Sequence, residues 1–157
     1  MNIILFFYMI ISYFGYLIWS TNKYGLQKDI SNTLYVLPDN YKFIFGLFCI
    51  SYAVPALLIA NNWLITIAAI GILIVSVAPI RNGSPSSIVH SIGSATSFIS
   101  STLYILCVVP NGIYISLGVF FSLLAITYVS KLERTVGMWQ EIITTIGMFI
   151  ALGLKIF

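Results

Sequence analysis

Three residues of this 157-residue chain have side chains that can perform nucleophilic chemistry together: Ser31, His90 and Glu141. Serine, histidine and a carboxylate are the residue types of acyl transfer, in which the histidine is the base and the carboxylate orients it. Ser31 lacks Gly-x-Ser-x-Gly surroundings, and a single histidine excludes a zinc site built on several histidines. The three residues are therefore candidates for catalysis without a metal or other cofactor.

His90 also begins a polar stripe on a predicted helix over residues 85–109. Residues at alternating steps of four and three lie on one helical face, and this face carries His90, Ser94, Ser97, Ser101 and Tyr104. Gly93 lies beside the stripe, so a neighbouring backbone can approach closely there. Small and hydroxyl residues on an apolar helix are typical of contacts between membrane helices. The stripe, together with Glu141, is thus a candidate surface for ligand binding or helix packing.

The composition places the chain among integral membrane proteins. It is 60% hydrophobic and only 7% charged, with a mean hydropathy of +1.04, which a soluble core of this size cannot bury. The net charge of +3 is small and does not support nucleic-acid binding. Cys49 and Cys107 both lie in apolar runs, which indicates small packing residues rather than a disulfide.

Six apolar segments have lengths that suit membrane-spanning helices. They cover residues 2–19, 42–60, 63–78, 85–109, 113–130 and 136–157. The first is expected to be retained rather than cleaved, because its basic residues follow the apolar run instead of preceding it. The sequence thus predicts an all-α polytopic membrane bundle of six transmembrane helices, forming one domain over residues 1–157.

The segment from Ser20 to Tyr41 is the only long polar connection. Within it, apolar residues recur at roughly helical spacing after Asp29 or Ser31, either of which can cap a helix, and Pro38 ends the run. Both a short interfacial helix and an ordinary connector are compatible with this pattern.

The distribution of basic residues predicts the orientation. Short cytoplasmic loops carry an excess of lysine and arginine, and six of the seven basic residues fall in or beside the connections that follow the first, third and fifth predicted spans: Lys23, Lys28, Lys42, Arg81, Lys131 and Arg134. Only Lys155 lies on the other side. Both termini are therefore expected to be extracytoplasmic. His90 and Glu141 then lie at similar depths on the cytoplasmic side, where each is the simplest partner for the other.

Three interpretations of this cluster stay open. His90 and Glu141 can serve helix packing, or the stripe can bind or transport a lipid head group, a small solute or protons, or the cluster can catalyse hydrolysis. The small residues Gly93, Ser97 and Ser101, each four apart, also suit a structural or regulatory subunit. The expected partners are membrane lipids and either a partner membrane protein or further copies of the chain.

Two short patches carry a resemblance. They are Ile30-Ser31 through Pro38 to Phe43 and Phe45, and Val89-His90-Ser91. With these patches the chain resembles small six-span bacterial and phage membrane proteins, and is distantly similar to the superfamily of alkaline ceramidases and progestin-adiponectin receptors. The resemblance implies a helical bundle in a bacterial inner (plasma) membrane, with Ser31 and His90 at matching positions. The further histidine pair that completes a metal site in that superfamily is missing here.

Overall fold

The computed structural model describes residues 2–77, 85–129 and 135–157, and within these ranges the chain is helical and has no strand. The helices in chain order are α1 (Asn2–Tyr24), α2 (Thr33–Val36), α3 (Lys42–Ala60), α4 (Trp63–Val77), α5 (Pro85–Val108), α6 (Gly112–Val129) and α7 (Val136–Ile156), with a 3-10 turn at Asp39–Tyr41. The all-α class predicted from the sequence is confirmed.

The bounds of α3 to α7 agree almost residue for residue with the predicted apolar segments, whereas α1 continues past residue 19 to Tyr24. Gly25 ends α1 with a positive φ of 77°, and its N–H donates to the carbonyl of Thr21 at 2.8 Å, as is typical of a glycine C-cap. Asn61 and Asn111 take the left-handed conformation at the tight turns before α4 and α6. Asparagine tolerates this conformation better than most residues.

Four helical segments are long and apolar enough to cross a membrane: Asn2–Tyr24, Asp39–Ala60, Ser87–Val108 and Val136–Ile156. The helices Trp63–Val77 and Gly112–Tyr128 are apolar but shorter. Large apolar side chains such as Ile4, Leu58 and Phe121 are more than half exposed on the outside, which is unusual for a soluble protein. These features agree with integration into a membrane.

Helices α1, α3, α4 and α5 pack side by side in that order, and α7 contacts α1, α3, α5 and α6. Helix α6 is peripheral. It contacts α5 and α7, and every side chain from Ile113 to Tyr128 is exposed or half-buried. Among the described residues, the buried core is formed by the other helices and the connection after α1.

Aromatic rings fill the contact between α1, α3 and α7. Tyr16 stacks on Phe48 with ring centroids 4.2 Å apart, and Tyr13 meets Phe149 edge to face at 5.5 Å. The Tyr16 hydroxyl is also hydrogen-bonded to the side chain of Thr33, which joins α1 to α2. The long connection thus forms a short helix of four residues and is held against the bundle.

Candidate functional site

Asp29 organises the loop between α1 and α2, which we call the first loop (residues 25–32). Its Oδ1 accepts hydrogen bonds from the backbone N–H of Asn32 at 2.7 Å and from the Ser31 hydroxyl at 2.8 Å. Its Oδ2 accepts from the side-chain amide of Asn32 at 2.7 Å. A carboxylate that bonds its own backbone a few residues on forms a tight turn. Neither predicted residue caps α2: its N-cap position is Asn32, which makes no side-chain cap hydrogen bond, and Asp29 instead holds the turn that precedes the helix.

The beginning of α7 holds this turn in place. The N–H of Met138 donates to the Lys28 carbonyl at 2.8 Å, and the Ile30 N–H donates to Oε2 of Glu141 at 2.6 Å. The first N–H groups of a helix have no partner within the helix, so the Lys28 carbonyl satisfies one of them. Gly137 makes the approach possible, because a Cβ there would lie 2.7 Å from the Lys28 carbonyl oxygen.

His90 contacts the same turn from α5. Its Nε2 lies 3.1 Å from Oγ of Ser31, and both residues are buried. Because the Ser31 hydroxyl donates to Asp29, the Nε2 nitrogen is the donor to Ser31 in this arrangement, which requires the tautomer that is protonated there. The predicted proximity of Ser31 and His90 is thus present.

The expected direct partnership of His90 and Glu141 is wrong. In the described part of the chain the carboxylate of Glu141 accepts from the Ile30 backbone, while His90 contacts Ser31. Glu141 and His90 contact adjacent residues of the first loop, Ile30 and Ser31, and are not bonded to each other. The physical reason is that the loop backbone inserts between α5 and α7 and offers a donor to the carboxylate.

A cavity of about 170 Å³ lies beside this turn and continues into the bundle between α1, α3, α4, α5 and α7. Its polar wall consists of Tyr13, Ser31, Tyr52, Ser94, Ser97, Ser101, Glu141, Thr144 and Thr145. Its apolar wall consists mainly of Phe45, Phe48, Ile72, Val75, Phe98 and Met148. The cavity is therefore amphipathic, and an engineered cavity of about 150 Å³ holds a benzene molecule.

The predicted stripe divides between two environments. Ser94, Ser97 and Ser101 line the cavity. Gly93, in contrast, packs against α4, where its position faces the carbonyl oxygen of Gly71. The close backbone approach expected at Gly93 is present, and its partner belongs to the same chain.

Tyr104, at the far end of the stripe, lies outside the cavity wall and is completely buried. The ammonium group of Lys155 lies 6.0 Å from the centre of its ring and donates to the Ala60 carbonyl. This group therefore stabilises the end of α3 on the side opposite the first loop.

Several residues of the site were not predicted from the sequence. Thr144 and Thr145 follow Glu141 by three and four residues, so they share its helical face, and this spacing was a usable signal. Tyr13 had no such signal, because it comes from a distant apolar segment. Its hydroxyl is buried near Thr145, and no atom of the described residues is in hydrogen-bond geometry with it.

Glu141 is the only formally charged side chain in the described cavity wall. Over the described ranges, no group of three or more histidine, cysteine, aspartate or glutamate side chains is arranged to hold a metal ion. The site as described offers hydroxyls, one carboxylate and aromatic faces. These groups suit binding of a ligand through hydrogen bonds and apolar contact.

Comparison of the chain with protein-family models, with curated proteins and with solved structures gave no match.

Proposed function

We propose that this protein is an integral membrane protein whose cavity binds the polar part of a lipid or a small amphipathic solute. The observation that carries the proposal is the amphipathic cavity beside the first loop, with the serines of α5 on one wall and aromatic rings on another. Ligand sites are concave and largely apolar, with a few convergent polar groups. A polar stripe inside a membrane bundle is costly unless it contacts protein, water or a ligand.

The proposed topology has six spans, with both termini extracytoplasmic, in a bacterial plasma-type membrane. The apolar character and packing of α4 and α6 support counting them as spans. The contacts of the first loop with α5 and α7 bring the first loop and the starts of both helices to one end of the bundle, where Lys23, Lys28 and Lys42 also lie. Reporter fusions at the C-terminus test the orientation: a cytoplasmic signal contradicts it.

Purification in mild detergent followed by native and lipid mass spectrometry tests ligand binding. The wild-type protein is expected to retain a bound small molecule or lipid at defined stoichiometry. Ser94→Leu places an apolar side chain at the cavity wall and is expected to abolish retention. The matched control is Ser122→Leu, because Ser122 is exposed on the peripheral helix α6 and its substitution leaves the cavity intact. Equal retention by both variants would contradict the proposal.

A second candidate function, membrane-embedded hydrolysis, is favoured by the 3.1 Å contact of His90 with Ser31, which lines the cavity, although His90 itself does not. For acyl transfer, the Ser31 hydroxyl would turn from Asp29 to His90, and His90 would take the tautomer whose Nε2 carries no proton. The serine oxygen would attack the substrate carbonyl carbon, while Nε2 would take the hydroxyl proton and pass it to the leaving group. Labelling with a fluorophosphonate probe tests this. An adduct on Ser31 that is absent from Ser31→Ala and His90→Ala supports hydrolysis, and no adduct removes this candidate.

A structural or regulatory subunit, the third function considered, drew support from the small residues Gly93 and Ser97. Gly71 of the same chain contacts both of them. The small-residue face is thus used within the molecule, and ligand binding remains the proposal that the geometry supports best.

A further inference from the structure

Glu141 presents part of its carboxylate to the cavity. Its Oε2 accepts a hydrogen bond from the backbone N–H of Ile30, while Oε1 accepts no hydrogen bond from the described residues. Glu141 also lines the cavity wall and is only half-buried. One carboxylate oxygen is therefore available to a molecule in the cavity.

No lysine or arginine side chain in the described ranges belongs to the cavity wall. Lys23 lies over the ring of Tyr41, with 5.1 Å from its ammonium nitrogen to the ring centre, and Lys42 pairs with Asp39. Lys155 is at the opposite end. A carboxylate that is partly removed from bulk water is stabilised by a bound cation. The charge pattern of the described wall therefore favours a positively charged ligand.

The remaining wall groups select the kind of cation. The aromatic side chains of Tyr13, Phe45, Phe48 and Tyr52 line the cavity, and aromatic rings attract cations to their faces. Serine hydroxyls on α5 can accept N–H hydrogen bonds. Tyr13 is buried, and its hydroxyl lies near Thr145 without meeting the geometry of a hydrogen bond to any described residue. It supplies one more oxygen.

From this geometry we propose that the cavity binds a primary amine in its ammonium form, with the N–H groups donating to Oε1 of Glu141 and to hydroxyl oxygens of the wall. This inference rests on the proposed binding function and names its ligand class. A primary ammonium has three N–H donors, whereas a quaternary ammonium has none to offer the hydroxyls. A cavity of about 170 Å³ accommodates the ammonium and a short alkyl stem. That stem belongs either to an ethanolamine lipid head group or to a free alkylamine.

The test compares n-butylamine with n-butanol, which has nearly the same shape but no charge, on the purified full-length protein in phosphatidylcholine nanodiscs at pH 7. Dissociation constants are measured by ligand-observed NMR. The wild-type protein is expected to bind the amine on the order of tenfold more tightly than the alcohol, as a charge-assisted hydrogen bond implies. Glu141→Gln is expected to remove this preference, while its amide oxygen still accepts from the Ile30 N–H.

The control variant is Asp39→Asn, which removes an exposed carboxylate whose side chain is 95% accessible and which lies outside the cavity wall. It should keep the wild-type preference. Equal affinities for amine and alcohol in the wild-type protein would overturn the amine inference and leave the binding function standing. Absence of binding by both probes, together with no retained lipid in mass spectrometry, would overturn both.

A second arm identifies the source of the amine. Phosphatidylethanolamine is titrated into the nanodiscs while bound butylamine is measured. Displacement of butylamine by this lipid, lost in Glu141→Gln, supports the inference with a lipid head group as ligand. Amine binding that the lipid does not affect supports it with a free alkylamine as ligand.

Discussion

Helix α5 has small residues on two sides, and the two sides meet their neighbours differently. On the α4 side, a Cβ at Gly71 would lie 2.5 Å from the Gly93 carbonyl oxygen, so the two backbones are in direct contact. On the α7 side, Ser94 and Ser101 face the cavity. The same kind of residue thus produces close packing on one face and an opening on the other.

The difference lies in the neighbouring helix. Lipid tails are as apolar as the helix surface, so membrane helices associate through close packing and hydrogen bonds. Where α4 offers a glycine opposite Gly93, the helices touch. Where α3 and α7 offer larger side chains, such as Phe48 and Met148, the serines of α5 are left beside a space. Small residues on one helix therefore do not determine whether a contact or a cavity results.

The largest effect is expected at the α4–α5 contact. Gly71→Leu and Gly93→Leu force a bulky side chain into opposing backbone, which typically costs 1–3 kcal/mol and occasionally more, and we expect about 3 kcal/mol here because backbone cannot move aside easily. Unfolding in detergent measures this. Gly118→Leu is the matched control, since a Cβ at Gly118 meets no atom within 4 Å. Equal stability of Gly93→Leu and Gly118→Leu would show that the close contact does not matter.

The next largest effect is expected at the first loop, whose residues Ile30 and Ser31 line the cavity. Glu141→Leu leaves the Ile30 N–H without an acceptor, at a cost of about 1–3 kcal/mol, and His90→Leu removes the contact to Ser31. Because both groups hold the same turn, the double variant is expected to lose less stability than the two single variants added together, by at least about 0.5 kcal/mol. Unfolding of all four proteins in one detergent measures the coupling. Strict additivity would mean that the two anchors act independently.

The sequence predicted the helices because each is an apolar run bounded by turn residues such as Asn61, Asn111 and Pro110. It also predicted which serines share a face, since that follows from helical periodicity alone. The pairing of His90 with Glu141 failed for a different reason. The hydrogen-bond donor to Glu141 is a backbone N–H of the first loop. Nearly every residue has a backbone N–H, so the residue types of the sequence do not indicate which one is used.

The neighbours across the two faces of α5 were equally inaccessible to sequence reasoning. Gly71 and Tyr13 come from segments whose position relative to α5 depends on the order of helices around the bundle. Periodicity within one helix carries no information on that order. The cavity, which results from several helices together, was therefore predicted only as a polar stripe.

A smaller effect is expected at Asp29, whose carboxylate forms the turn that Glu141 and His90 hold. Asp29→Ala removes the acceptor for the Asn32 N–H and the Ser31 hydroxyl, and loss of such a hydrogen bond typically costs about 1 kcal/mol. Asp29→Asn should recover part of this, because its oxygen can still accept. Unfolding in detergent compares the two variants, and a more stable Asp29→Ala than Asp29→Asn would contradict this role for the side chain.

The smallest effect is expected for Ser101→Ala. Comparing it with Gly93→Ala tests the two faces of α5, because both variants place an alanine, one at the cavity and one at the contact with α4. Ser101→Ala removes a hydroxyl that faces the cavity and leaves packing unchanged, so stability should change by less than about 0.5 kcal/mol. Gly93→Ala adds a Cβ that would lie 2.8 Å from the Gly71 carbonyl oxygen, so it should be clearly destabilising although alanine favours helices more than glycine does. Unfolding of both variants in the same detergent gives the difference. If Ser101→Ala proved as harmful as Gly93→Ala, the serine face would be a packing contact rather than the wall of a binding site.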